Sequence, residues 1–449
     1  MIWGRWKDYI ANGNGGNIEL KSLDFEYIQK NFRYSILEIY KSTTDDDAIL
    51  ERESWWKELL MTRQFGYKNY WALRKSLPQN VSIAYSVKSS PNPYLIQYYM
   101  NNGVFFEVAS EGELVYLLSL GVSPSKIIVS GQGKTKEYLC MALNKGITKF
   151  NIESENELTL LGNIKKDENI NCSIRVNPSF SNSRSKLKLG GVPSAFGIDE
   201  NQLIDILLKD KNHFIDGIFM YAGSQYFFEE DIVFNTEYLL KLCLDIYEKT
   251  NIQFKVIDFG GGFGVPEDDS DGELDLIQLQ SKMQKLFAEY INHKAFEKVT
   301  SYIFESGRYL SARTAVLITK VLDIKESWGD KFIITDMGIN ALGVKQKEYR
   351  LYPPVVKQIT HDTNFEEYII VGRTCTPIDQ THPKCILSKV NIGDLLYIVD
   401  CGAYSLTFSP NSFCGLARVA EVVHTNRSFI LTNRRELPEE VYGRTVIKK

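Results

Sequence analysis

Residues that build metal centres and disulfide frameworks are scarce in this chain. Its 449 residues include five histidines, none near another at ligand spacing, which argues against a bound metal. The seven cysteines (Cys140, Cys172, Cys243, Cys375, Cys385, Cys401 and Cys414) are an odd number and contain no CxxC pair. That pattern predicts reduced thiols in a cytoplasmic protein, most of them small core residues. Excess positive charge is also missing. A formal net charge of −4 and a pI near 5.9 make nucleic acid a poor partner. No apolar run approaches the length of a membrane span. The opening MIWGRWKDYIANGNGGNIEL lacks the layout of a secretory signal, so neither membrane nor export is expected.

What is present is ordinary globular material. With 44% hydrophobic and 24% charged residues the chain can bury a large core, and its length favours two domains. From residue 81 short apolar runs alternate with helical patterns. The runs are 81–87, 104–108, 126–130, 147–152, 172–176, 215–221, 254–259 and 299–304. Between them, Ser110 with Glu113 predicts a capping box, and Leu239, Leu240, Cys243, Ile246 and Tyr247 mark one helical face. Eight β/α units predict an α/β protein with a (β/α)8 barrel of TIM type, favoured over an open doubly wound sheet. After residue 308 the runs lose helical periodicity, which predicts a mostly β C-terminal domain. The expected division is 1–66, an N-terminal extension partly packed with the β domain, then 67–308, the barrel, and 309–449. In the extension, 12–16 reads as a flexible turn and 45–60 as a helix opened by aspartates. An acidic loop is expected over 268–275.

In a (β/α)8 barrel, chemistry gathers at the C-terminal ends of the strands. Lys88 follows the first run, Arg175 lies in the fifth, and Tyr221 with Gly223-Ser224-Gln225 follows the sixth. Gly260-Gly261-Gly262 follows the seventh, and Glu305-Ser306-Gly307-Arg308 the eighth. Each has a plain reading. A lysine after a strand is usually a surface cation, and glycines occur in ordinary turns. Glu305 with Arg308 would make a surface ion pair worth little, and Ser224 would cap a helix. Together, an amine, an anion-binding glycine run, a carboxylate and an arginine at one rim suit pyridoxal phosphate. The lysine takes the aldehyde, glycine amides and arginine take the phosphate, and a charged side chain holds the ring nitrogen.

The same landmarks, in this order, resemble the fold-type III pyridoxal-phosphate decarboxylases, the group of ornithine, arginine and diaminopimelate decarboxylases. The resemblance runs from about residue 80 to 423. AYSVKSSPNP (84–93) is similar to the segment bearing the cofactor-binding lysine, here Lys88, and FEVASEGEL (106–114) to the next landmark, with Glu107 where aspartate is common. SAFGI (194–198), GSQ (223–225), GGGFG (260–264) and ESGR (305–308) continue the match. By this resemblance Lys88, Glu107, Arg175, Tyr221, Ser224, Gly260, Gly261, Gly262, Glu305, Gly307 and Arg308 bind the cofactor. Glu305 pairs with the pyridine nitrogen and Arg308 contacts the phosphate. In the second domain GRTCTPID (372–379) resembles a loop whose cysteine enters the neighbouring subunit's site, and CGAYSLTF (401–408) a segment whose tyrosine, Tyr404, reaches the phosphate. A homodimer with shared sites is therefore implied. Lys88 and Cys375 are its catalytic pair, Cys375 being the acid that reprotonates Cα, with Thr376 and Asp379 at the substrate.

Two departures inform the substrate. Tyr221 stands where the family usually stacks a histidine on the cofactor ring, which removes an imidazole. Thr376 stands where decarboxylases of free ornithine, lysine or diaminopimelate carry Asp or Glu. A threonine leaves a distal ammonium unpaired, and burying one is costly. The resemblance therefore points to the biosynthetic branch acting on an amino acid whose side chain is masked or carrier-linked, in an antibiotic or siderophore pathway. Rival readings are decarboxylation of a free diamino acid, racemisation, and a catalytically silent regulatory homologue. Tyr94, Lys345 and Arg350 are further candidates for substrate contact, with surface or core positions as their plain alternative.

Overall fold

The computed structural model describes residues 68–164, 170–181, 187–188, 190–210, 214–266, 271–343, 356–358, 364–424 and 429–443. The turn at 12–16, the helix expected over 45–60, Lys345, Arg350 and the start of the acidic loop lie outside them. The chain divides into two compact units. One runs to Pro91 and resumes over Leu95–Thr314; the other contains Asn92–Tyr94 and everything described from Ala315 onward.

The first unit is the barrel. Its strands are β1 (Val81–Ser86), β2 (Phe105–Val108), β3 (Ile127–Val129) and β4 (Lys149–Ile152), then β5 (Asn171–Asn177), β6 (Ile215–Met220), β7 (Val256–Asp258) and β8 (Ser301–Ser306). Each strand pairs in parallel with the next, and β1 pairs with β8, so the sheet closes. The eight apolar runs of the sequence are these eight strands. Their residues are buried nearly throughout, as a sheet covered on both faces requires.

The helices between them start and stop where local chemistry dictates. Ser110 caps Glu111–Ser119 by accepting from Glu113 N at 3.3 Å. Glu113 reaches back to the N–H of Ala109 at 2.8 Å, one residue earlier than a capping box places it. In Glu229–Thr250 the predicted face is the buried one (Leu239, Leu240, Cys243, Ile246), and the helix ends on Asn251 at φ 61.

The second unit is mostly β. Strands β9 (Leu317–Ser327), β10 (Asp330–Thr335), β11 (Val356–Gln358), β12 (Phe365–Val371), β13 (Gln380–Ser388) and β14 (Leu395–Ile398) form one sheet in the order β11-β14-β9-β10-β12-β13. Val321, Ile333, Tyr368, Ile370, Leu396 and Ile398 supply its core. A separate hairpin, Glu421–His424 with Phe429–Asn433, follows. Glu421 accepts from Asn92 Nδ2 at 2.7 Å, which places the SSPNP segment's asparagine in this unit. Among the described residues no helix is long and apolar enough to cross a membrane.

One buried ion pair ties the loop after β3 to the first turn of the helix Glu155–Ile164 that follows β4. Glu157 Oε2 lies 2.9 Å from Lys134 Nζ, with both side chains at most 5% exposed. Glu157 also accepts the backbone N–H groups of Lys134 (3.1 Å) and Glu153 (3.0 Å). Truncating one partner leaves the other charge buried, so Glu157→Ala should destabilise the barrel by about 3 kcal/mol. Calorimetric melting of the variant tests this; a loss below about 1 kcal/mol would show the pair to be dispensable.

Candidate active site

Six of the eight strands contribute to a charged cluster at the C-terminal mouth of the barrel. Lys88 sits on the single turn Val87–Ser89 after β1, with Nζ 2.6 and 2.8 Å from the two carboxylate oxygens of Glu107 on β2. The lysine side chain is 43% exposed and that of Glu107 3%, so the amine faces the open mouth while its partner is fixed in the wall. Register explains the meeting, because Ser86 lies opposite Glu107 in the β1–β2 ladder.

Arg175 on β5 pairs with Glu153, just past β4, at 2.8 Å, and both are buried. Its guanidinium lies 4.8 Å from the ring centre of Phe196, 5.2 Å from Phe219 and 6.0 Å from Tyr221. The SAFGI segment thus serves the site through a support role. Phe196 covers the guanidinium, and Gly197 N donates to Glu153 Oε2 at 2.8 Å.

The glycine run forms a cradle that side chains would fill. Gly260 and Gly262 have φ of 66° and 103°, a region that favours glycine. A Cβ at Gly262 would lie 2.6 Å from Gly223 O and from the Tyr226 ring, and one at Gly261 2.4 Å from Glu305 O. Gln225 clamps the loop to the GSQ segment: its Oε1 accepts from Val265 N at 3.0 Å and its Nε2 donates to Val265 O at 3.2 Å. Ser224 pairs in a two-residue antiparallel ladder with Leu187 and is half-buried. Gly307 precedes the short helix Arg308–Ser311, whose Arg308 is half-buried.

Glu305, next to the last residue of β8, is almost fully buried, and its Oε1 has no hydrogen-bond partner among the described residues. Burial pushes its carboxyl well above the usual range, and the charges of Asp258 and Glu107 push the same way. Asp258 on β7 is pushed up to about 8 by burial, with Glu107 adding and the Gly260 N–H and Arg175 opposing. Its Oδ2 and the hydroxyl of Ser306 are likewise buried without a partner. Unsatisfied polar atoms this deep need a reason. A mouth that sets buried acceptors with open oxygens beside a glycine loop and arginines fits an anionic heteroaromatic group.

The site is richer than the sequence reading of it. Asp258, Glu153 and Glu157 were passed over there. Asp258 is the one acid inside the apolar run FKVIDF, and Glu153 directly follows ITKFNI; those were the available signals. The second unit holds Cys375, Thr376, Asp379 and Tyr404, and also Tyr94. Cys375 is exposed, Thr376 is half-buried, and Tyr404 adopts φ 56. Asp379 is buried, and its carboxylate accepts from Ile339 N (2.8 Å), Thr374 N (2.8 Å) and the Thr374 hydroxyl. A Cβ at Gly338 or Gly372 would clash with it. In this geometry Asp379 shapes its loop.

Residues 67–312 match the family described as pyridoxal-dependent decarboxylase, pyridoxal binding domain. The chain is 32% identical to the L-glutamyl-[BtrI acyl-carrier protein] decarboxylase of Niallia circulans, covering 83% of this chain and 90% of that protein. It is 30% identical to the diaminopimelate decarboxylase of Aquifex aeolicus, over 81% and 86% respectively. Among solved structures, the diaminopimelate decarboxylase of M. jannaschii superposes with a TM-score of 0.76 at 24% identity, over 85% of this chain and 90% of that one, and shares the fold.

The buried acids make stability pH-dependent. The native Asp258 keeps a proton that the unfolded chain, with the ordinary value of 3.8, has released. Its contribution is therefore complete below about pH 4 and lost as pH rises to about 8. Glu305 acts in the same direction. Cofactor-free Asp258→Asn should lose less stability than wild type over this window. Urea midpoints measured across it give the comparison, and equal slopes in the two proteins would contradict the assignment.

Proposed function

The chain belongs to the pyridoxal-dependent decarboxylases, and from that footing we propose that it removes CO2 from an amino-acid unit whose side chain is masked or joined to a carrier. Pyridoxal phosphate is the family's cofactor; when bound it withdraws the electrons left behind as the carboxylate departs. The remaining work falls to this chain's residues. Lys88 would hold the cofactor through its amine, and Glu107, in contact with Nζ, would be placed to take up a proton from that amine. Gly260, Gly261 and Gly262 with Ser224, Gly307 and Arg308 receive the phosphate. Glu305, its carboxyl pushed up by burial, has an oxygen without a partner among the described residues to offer the ring nitrogen. Tyr221 and Arg175 line the opposite wall, where the aromatic face gives a stacking surface.

The observation that carries the substrate class is a missing charge. Thr376 occupies the position after Cys375, and its hydroxyl accepts only the Ile378 N–H at 3.4 Å among the hydrogen bonds seen. The one carboxylate of that loop, Asp379, is used up by Ile339 and Thr374. A distal ammonium would find no counter-ion on this loop, whereas the neutral carbonyl of a thioester or amide needs none. The similarity to a decarboxylase of a carrier-linked glutamyl unit supports the same class. We assign Cys375 as the acid that reprotonates Cα and Tyr404 as a phosphate contact, both delivered to the neighbouring subunit of a homodimer.

Mass spectrometry of reaction mixtures tests the substrate. A carrier-linked glutamyl unit should lose CO2, with free ornithine or diaminopimelate at least about a hundredfold lower in kcat/KM. Equal turnover of a free diamino acid would overturn the reading of Thr376. For the shared site, Lys88→Ala mixed with Cys375→Ala subunits should regain activity. Verified mixed dimers that stay inactive would contradict it.

A further inference from the structure

Seven thiols are present, and apart from the half-buried Cys140 their settings fall into two groups. Cys172, Cys243 and Cys401 are pushed up in pKa by burial, and Cys385 is raised to about 11 for the same reason. Such thiols stay protonated and inert. Cys375 and Cys414 are the exposed ones, and they meet each other. The backbone N–H of Cys375 donates to Cys414 Sγ at 3.4 Å, across 39 residues of sequence.

The contact depends on an unusual backbone. Cys414 stands at φ 57, ψ 9 and Gly415 at φ 62, so two successive left-handed residues turn the chain tightly. A left-handed cysteine costs free energy that most surface turns avoid by using glycine or asparagine. Its sulfur is thereby brought against the Cys375 loop, which Asp379 holds in place from behind. The sulfur of Cys375 hangs three bonds from the nitrogen that touches Cys414, and rotation about χ1 moves it among staggered positions close to that second sulfur.

We propose that Cys375 and Cys414 are a redox-sensitive pair, a modification site at which a hydroperoxide closes a reversible disulfide and silences the enzyme. The silencing rests on Cys375 being the acid of the reaction; the pairing itself does not. The chemistry balances in two steps. A Cys375 thiolate attacks the peroxide, taking one oxygen to give a sulfenic acid and releasing water after proton transfer. The Cys414 thiol then displaces that hydroxyl as a second water, leaving the S–S bond, so two thiols are oxidised and one peroxide is reduced. In the disulfide Cys375 has no proton to give. A low-molecular-weight thiol restores both.

The test uses the cofactor-loaded enzyme treated with hydrogen peroxide, with thiols counted after denaturation, peptides mapped by mass, and CO2 release measured. Wild type should lose two thiols, yield a linked Cys375–Cys414 peptide, and fall about a hundredfold in activity. Dithiothreitol should restore it. Cys414→Ser should keep its basal activity and give no linked peptide. Its peroxide inactivation should resist dithiothreitol, because a sulfenic acid with no resolving thiol proceeds to the sulfinic acid. Absence of the linked peptide in wild type, or recovery of Cys414→Ser like wild type, overturns the pair. A linked peptide with full activity overturns the silencing and, with it, the role of Cys375 as the acid.

Discussion

Burying carboxyl groups together at one end of a barrel costs free energy, and much of the mouth is arranged around that cost. Glu107 is met by Lys88 and Glu153 by Arg175, each at hydrogen-bonding distance. Among the described residues neither Glu305 nor Asp258 makes an ion pair, and burial pushes both carboxyls up, toward the neutral form. The difference defines their uses. A paired carboxylate positions a cation, whereas a neutral buried carboxyl with an open oxygen can bond to a ring nitrogen and share a proton with it. The fold thereby sorts four equally buried acids into two kinds of work by whether a cation meets them.

Support for this arrangement extends behind the charged groups. Glu157 holds the backbone of Glu153, Glu153 holds Arg175, and Phe196 and Phe219 cover the guanidinium. Across the mouth, Gln225 fastens the glycine loop to the segment after β6. The loop's glycines are needed on steric grounds, since added Cβ atoms would strike Glu305 and Gly223 backbone. The same absence of side chains leaves room for a phosphate among N–H groups. Close packing and anion binding make one demand on the sequence here.

Periodicity read the barrel well because each strand is an uninterrupted apolar run ended by a turn residue, and parallel buried strands impose that signature. Lys88, Glu305 and the glycine run were visible because they fall just past such runs. Asp258 was not, because an acid inside an apolar run looks like part of a strand until its burial is known. Glu157 was hidden on a helix, where a carboxylate ordinarily faces water. Asp379 is spent in a way that spacing does not show. It stands beside Cys375 in a loop with a functional look, yet folding turns its carboxylate onto backbone N–H groups. Spacing along the chain cannot reveal which way a side chain is spent.

The candidate site turns on Lys88 as the residue that takes the cofactor. Reducing the cofactor-loaded protein with borohydride and mapping its peptides by mass measures this directly. The pyridoxyl group should be found on the peptide containing Lys88 and on no other lysine. A label on a different lysine, or none after verified loading, would contradict the site described.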